Sequence, residues 1–284
     1  MNYIAPAWLP GGHAQTVYAA LAAPRPRIVY RRERWDTPDG DFIDLDWAVN
    51  PEPGASRINL SRSGGRKSWA PSNDNWARLG QDLEEAPLVV LFHGLEGNSQ
   101  SHYAVALMAA LQRMGIHGVV VHFRGCSGEL NRLPRAYHSG DSAEIDWILR
   151  RLKQQRPHAS LRAVGVSLGG NALLKWLGET GASAREWVDR AAAVSAPVDL
   201  MAAGNALDHG FNLVYARHFL VTMKKKALAK LSCHPGLYNA ARVRAACTLR
   251  EFDNVVTAPL HGYRDTDDYW TRASSKPLLR DITV

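Results

Sequence analysis

The chain has 284 residues, 46% apolar and 21% charged, which suits a single α/β domain with a sizeable core. Its formal charge of +7 rests on scattered basic residues whose longest run, Lys224-Lys225-Lys226, reads as a solvated helix face, so a nucleic-acid-binding role is set aside. Three cysteines without a C-x-x-C pair, a start without the pattern of a signal peptide and no membrane-length apolar stretch argue against a disulfide framework, a secretory leader and a transmembrane helix; a cytoplasmic location is the expectation.

Residues 1–27, rich in Pro and Ala, predict an irregular lead-in with at most a short helix. Residues 27–35 and 42–49 flank Thr37-Pro38-Asp39-Gly40, a turn sequence, and the alternation of Phe42, Asp44 and Asp46 with Ile43, Leu45 and Trp47 predicts an antiparallel hairpin at a sheet edge. Residues 51–87 shift to Ser, Gly, Asn and Arg and read as a loop or insertion. The continuous apolar run Leu88–Phe92 then predicts a strand buried on both faces. Further strands are expected at 117–123, 161–166 and 191–195, with helices at 101–114, 141–154 and 169–177 between or after them. This alternation means a mostly parallel sheet with flanking helices. Residues 198–276 contain no convincing strand and predict a helical cap within the same domain, above the carboxyl ends of the strands.

The sharpest chemical signal is Gly165-Val166-Ser167-Leu168-Gly169, set between an apolar strand and a helix. A serine on so tight a turn is pushed outward, the glycines remove side chains that would clash, and the Leu168 amide sits where it could donate to an oxyanion. His93-Gly94-Leu95-Glu96-Gly97 follows the first parallel strand, where a second donor is needed; the Leu95 amide is the candidate. His93 precedes the serine, whereas in this fold the order is nucleophile, acid, histidine, so it is assigned to shaping the loop. Arg124 is read as a loop buttress and Cys126 as a buried structural thiol. The histidines show no metal-ligand spacing, so no metal is expected.

Several motifs occur in order: Pro10–Thr16, Thr37–Phe42, His93–Gly97, His122–Gly128, Tyr137–Gly140, the serine turn, Glu251-Phe252-Asp253 and His261-Gly262-Tyr263. Together they resemble the YheT-like branch of the α/β-hydrolase superfamily over nearly the whole chain apart from 51–87. The resemblance implies a carboxylic-ester hydrolase acting on short acyl esters or acylglycerols, without a cofactor. It also implies an acid after the strand that follows the cap and a histidine in a glycine-flanked motif near the C-terminus. Neither is found in the expected position: Lys276–Val284 reads as the run-in to that strand. The expectation is therefore a domain whose last strands and helices are missing and whose turnover is impaired, whether as a fragment or frameshifted product or as a fold that a second chain completes. Asp199 with His209, His218, His234 or His261 offers a substitute pair, though each of these histidines reads more readily as a cap residue. A non-catalytic binding protein and an acyltransferase are the rival readings.

Overall fold

The computed structural model describes residues 5–49 and 86–284, so the insertion expected over 51–87 lies outside the described residues but for its last two positions. After a short helix α1 (Gly12–Leu21), the strands β1 (Tyr30–Asp36), β2 (Phe42–Ala48), β3 (Leu88–Phe92), β4 (His117–His122), β5 (Leu161–Val166) and β6 (Arg190–Val194) form one sheet in the order β1-β2-β4-β3-β5-β6. β2 alone runs against the rest, pairing antiparallel with β1 on one side and β4 on the other, while β4, β3, β5 and β6 pair in parallel. Helices α2 (His102–Arg113), α3 (Ser142–Gln155) and α4 (Leu168–Thr180) flank this sheet.

The apolar run of β3 divides between two layers because successive side chains point to opposite faces. Leu88, Val90 and Phe92 pack with Ile145, Ile148 and Leu149 of α3, while Val89 and Leu91 pack with Ala104 and Met108 of α2. Both faces being covered is why this strand carries no polar residue.

The expected hairpin forms at the sheet edge, and all seven residues of β2 are buried, Asp44 and Asp46 included. Asp44 and Asp46 tolerate this because cations meet them: Arg34 binds Asp44 through two bonds at 2.7 and 2.9 Å, and Arg32 binds Asp46 in the same way. His122 on β4, at 2.8 Å, and the Ser99 hydroxyl, at 2.6 Å, complete the shell around Asp46. A buried charge so surrounded holds its place, whereas an unpaired one would not.

Beyond β6 the described chain is helical: α5 (Leu200–Leu207), α6 (Leu213–Cys233), α7 (Ala240–Ala245), α8 (Leu249–Phe252), a π-helical stretch (Asp253–Thr257), α9 (Ala258–Leu260) and α10 (Thr266–Ala273). These pack around a core of their own that includes Leu220, Val243, Phe252 and Trp270; Leu95, from the loop after β3, touches both this core and the sheet's. The segment expected to lead into a strand instead forms a 3₁₀ helix, Lys276–Asp281. It lies on α4, where Gly178 leaves room for Leu278: a Cβ at Gly178 would stand 2.6 Å from the Leu278 Cβ. Pro277 at its start and the side chains of Ile282 and Val284, packed on the sheet core, favour this path over an extended one. β6 pairs only with β5 among the described residues, and Ala192, Ala193 and Val194 on it are exposed.

Candidate active site

Val166 ends β5 and Leu168 begins α4, leaving one residue to reverse the chain. That residue, Ser167, has φ 52° and ψ −118°, a conformation few side chains adopt without strain. It is held there from both sides: its N–H donates to the Val194 carbonyl at 2.9 Å, and its carbonyl accepts the Asn171 N–H at 3.1 Å. The turn closes because Gly165 and Gly169 lack side chains. A Cβ on Gly165 would lie 2.5 Å from the Gly169 carbonyl oxygen, and one on Gly169 would strike the carbonyls of Phe92 and His93. As the first residue of α4, Leu168 has an N–H with no partner inside the helix.

The loop after β3 passes close to this turn. A Cβ on Gly94 would sit 3.1 Å from the Ser167 Cβ, closer than side chains ordinarily pack, so glycine lets the loop approach without a shift. Around it the amides are spoken for: Gly94 N–H donates to the Tyr103 hydroxyl at 2.9 Å, Glu96 N–H to the Tyr137 hydroxyl at 2.8 Å, and Gly97 N–H to the Gly94 carbonyl at 2.9 Å. The Leu95 N–H has no protein acceptor among the described residues. His93 shapes the loop, one ring nitrogen meeting the Gly94 carbonyl at 2.7 Å and the other accepting the Phe123 N–H at 3.1 Å. Burial pushes this histidine down to about 3, so it stays neutral.

Leu95, Ser167 and Leu168 open on one cavity of about 180 Å³. Its roof is apolar, with Leu200, Phe219, Met223, Phe252, Val256 and Trp270. Two polar devices support that roof. Lys226, on α6, pairs with Glu96 at 2.9 Å and approaches the Cys126 sulfur at 3.4 Å, while the Tyr137 hydroxyl donates to the same carboxylate at 2.8 Å. Lys226 is thus turned into the cavity, in place of the solvated face expected for 224–226. Three consecutive helical residues span about 200° of the helix circumference, so they cannot share one face. Second, Asp253 in the π-helical stretch accepts from Thr257 at 2.6 Å and from the Trp270 indole at 2.9 Å; burial pushes its carboxyl up to about 6. Neither device stood out in the sequence. The signal for Lys226 was the helical period itself; the motif Glu251-Phe252-Asp253 marked the second place without its chemistry.

The remaining candidates are engaged away from the serine hydroxyl, although Arg124 lines the same cavity. Arg124 is buried against Glu144 at 2.6 Å, Asp39 at 2.8 Å and Asp41 at 3.2 Å, and so buttresses its loop. Burial pushes the Cys126 thiol up to about 11, which leaves it protonated and unreactive. Asp199 caps α5 through the Ala202 N–H at 3.0 Å and pairs with Lys276 at 3.0 Å, and it meets no histidine. His209 contacts the Asn205 carbonyl, His234 that of Arg132, and His261 those of Thr257 and Ala136. His218 lies against Phe219. Asp199 and these four histidines are therefore not assembled around Ser167.

His138 is the histidine that lines the Ser167 cavity. Its Nδ1 accepts the Gly140 N–H at 3.2 Å, and burial pushes it down to about 3. A neutral ring accepting at Nδ1 carries its proton on Nε2, which then has no lone pair to take one from a hydroxyl. Among the described residues no histidine is hydrogen-bonded to the Ser167 hydroxyl, and the one histidine–carboxylate pair is His122 with Asp46, inside the sheet. No group of three His, Cys, Asp or Glu side chains is gathered as a metal would require among the described residues.

A family described as alpha/beta hydrolase fold matches residues 87–276. YheT of Escherichia coli (strain K12), which carries an esterase name, is 38% identical over 272 residues, covering 95% of this chain and 71% of its own length. Phospholipase ABHD3 of Homo sapiens is 27% identical over 287 residues, 100% of this chain and 63% of its own. The monoacylglycerol lipase of Saccharomyces cerevisiae is 26% identical over 299 residues, 96% of this chain and 65% of its own. The chain thus spans less than two thirds of the length of the latter two.

Proposed function

From the premise that the chain belongs to the α/β-hydrolase family, in its YheT-like branch, we propose that it is a serine carboxylic-ester hydrolase with Ser167 as nucleophile. The substrates are short acyl esters or acylglycerols, a class in keeping with the esterase, phospholipase and monoacylglycerol lipase names of its relatives. The observation that carries the reading is the left-handed Ser167, forced onto a one-residue turn between β5 and α4 and facing an apolar cavity.

In this reading the Ser167 Oγ attacks the ester carbonyl carbon, and the carbonyl oxygen becomes an oxyanion held by the N–H groups of Leu95 and Leu168. Collapse of the tetrahedral intermediate expels the alcohol, which takes a proton, and leaves an acyl group on Ser167. Water then attacks the acyl-enzyme by the same route. The acyl chain lies along the apolar roof of the cavity. No cofactor takes part.

The proton of Ser167 needs a base, and the described residues place none against its hydroxyl. Acting alone, they support impaired turnover, on the order of 10³-fold over the reaction in water, the level that oxyanion stabilisation and binding retain when a triad is removed. Three unpaired cysteines fit a cytoplasmic setting.

A fluorophosphonate probe tests the proposal. Intact-mass measurement is expected to show slow, single-site labelling of the folded chain and none in Ser167→Ala. Unlabelled, well-folded protein would instead leave a binding protein that keeps the pocket without the chemistry. Labelling that survives Ser167→Ala would refute the nucleophile.

A further inference from the structure

The positive charge of this protein is not evenly spread. Between His209 and Arg250 there are eight Lys or Arg residues and no Asp or Glu, a formal +8 against +7 for the whole chain. Acidic residues make up about one in ten of the chain, so several would be expected in a stretch of this length. The stretch begins at the end of α5 and covers α6 and α7, the outer part of the helical cap.

Helix α6 sorts its residues by face. Phe219, Met223, Lys226 and Lys230 line the cavity. Val214, Arg217, His218, Val221 and Lys225 are exposed, at the spacing of one helical stripe, with Val221 69% and Val214 54% exposed. Lys224 donates to the Arg244 carbonyl at 2.8 Å, bringing exposed Arg242 and Arg244 of α7 beside the same region.

Helix α1 extends this surface. His13 rests on Phe211, with ring centres 4.8 Å apart, and meets the Tyr215 hydroxyl at 3.2 Å. Val17 and Leu21 follow His13 at i+4 and i+8, on the same helical face, yet Leu21 is 81% exposed and Phe211 55%. The sequence from Met1 to Arg32 has no acidic residue either. Isolated exposed apolar side chains are ordinary, but here they form stripes on two touching helices, each within a stretch of sequence that has no acidic residue.

We propose that this face, α6 with α7 and α1, docks on an anionic lipid surface. Basic side chains would meet headgroup phosphates, and Val, Leu and Phe side chains would enter the boundary with the acyl chains. Nucleic acid would satisfy the charge but gives the apolar stripe nothing to enter. No helix among the described residues is long and apolar enough to cross a membrane, so the contact is with the surface. Docking would hold the cavity about one helix diameter from the lipid, because α6 separates the two.

Co-sedimentation of the full chain with vesicles tests this, reading binding without turnover and so independently of Ser167. Binding to vesicles of phosphatidylcholine mixed with phosphatidylglycerol is expected, with weaker binding at raised salt and to phosphatidylcholine alone. Val214→Asp/Val221→Asp and Arg217→Glu/Lys225→Glu should each weaken it about tenfold or more, with circular dichroism and melting temperature unchanged, since all four residues are exposed. Absence of binding, equal binding to both vesicle types, or binding untouched by either double variant would overturn the proposal. So would capture of duplex DNA that survives Val214→Asp/Val221→Asp, which would assign the face to nucleic acid.

Discussion

The sheet and the cap solve the burial of charge in opposite ways. Beneath the site, carboxylates are taken fully inside and surrounded: Asp46 by Arg32, His122 and Ser99, and Asp41 by Asn131, the Arg132 amide and Arg124. Above it, the helices send most of their charge outward and keep a largely apolar underside, taking in Lys226, Lys230 and Asp253 one by one and not as a clustered network. The first arrangement fixes geometry because each donor has one place to be. The second leaves a smooth lining, suited to a chain of methylenes and indifferent to its register.

If that contrast holds, the largest loss of stability comes from the sheet. Asp46→Ala strands a buried His122 and Ser99 and should cost about 4 kcal/mol in chemical denaturation. A loss below about 1 kcal/mol would show the network to be replaceable packing.

The cap's buried carboxylate should respond to pH. Asp253 is raised from 3.8 to about 6, so the neutral form is the one the fold favours. Its relative stabilisation is complete below about pH 4 and is lost as pH rises through 6, leaving a penalty of about 3 kcal/mol at neutral pH. Compared with Asp253→Asn, the wild type should therefore lose ground between pH 4 and pH 7 in paired denaturation curves. Parallel curves for the two proteins would mean that Thr257 and Trp270 stabilise the anion enough to cancel its burial.

The smallest effect is expected where the two regions meet. Lys226→Met leaves the Glu96 carboxylate with the Tyr137 hydroxyl and should cost only about 1 kcal/mol, because the lysine is partly exposed. Its sharper readout is the rate of fluorophosphonate labelling, which should fall if Glu96 helps hold the Leu95 amide in place.

Much of the sheet was legible because its signals are local. Leu88–Phe92 is apolar throughout and is buried throughout; Gly165 and Gly169 bracket a serine and are packed where a Cβ cannot fit. The strands from β3 to β6 fall within a residue or so of the expected positions. What could not be read depended on partners distant in sequence. The alternation of Asp44 and Asp46 marks a strand but not their burial, which follows only once Arg34, Arg32 and His122 are placed beside them. Lys226 looks solvated until the helix turns it toward Glu96, 130 residues earlier. Lys276–Val284 resembles the approach to a strand, but its direction is set by Gly178 and by the Arg185 side chain that donates to the Thr283 carbonyl. Leu95 and Leu168 line one cavity with Ser167, but a backbone donor leaves no trace in side-chain identity, so their amides are suggested by the fold and not by the residue types.

The Ser167 backbone has a consequence for anyone who would evolve or engineer this chain. At φ 52° and ψ −118° a β-carbon is an expense that glycine would not incur, on the order of 1–3 kcal/mol. Ser167→Gly should therefore melt higher than both the wild type and Ser167→Ala, in differential scanning calorimetry, while losing the hydroxyl altogether. Selection for thermal robustness alone pulls toward that glycine; under the proposed function, selection for turnover is the opposing pull toward serine.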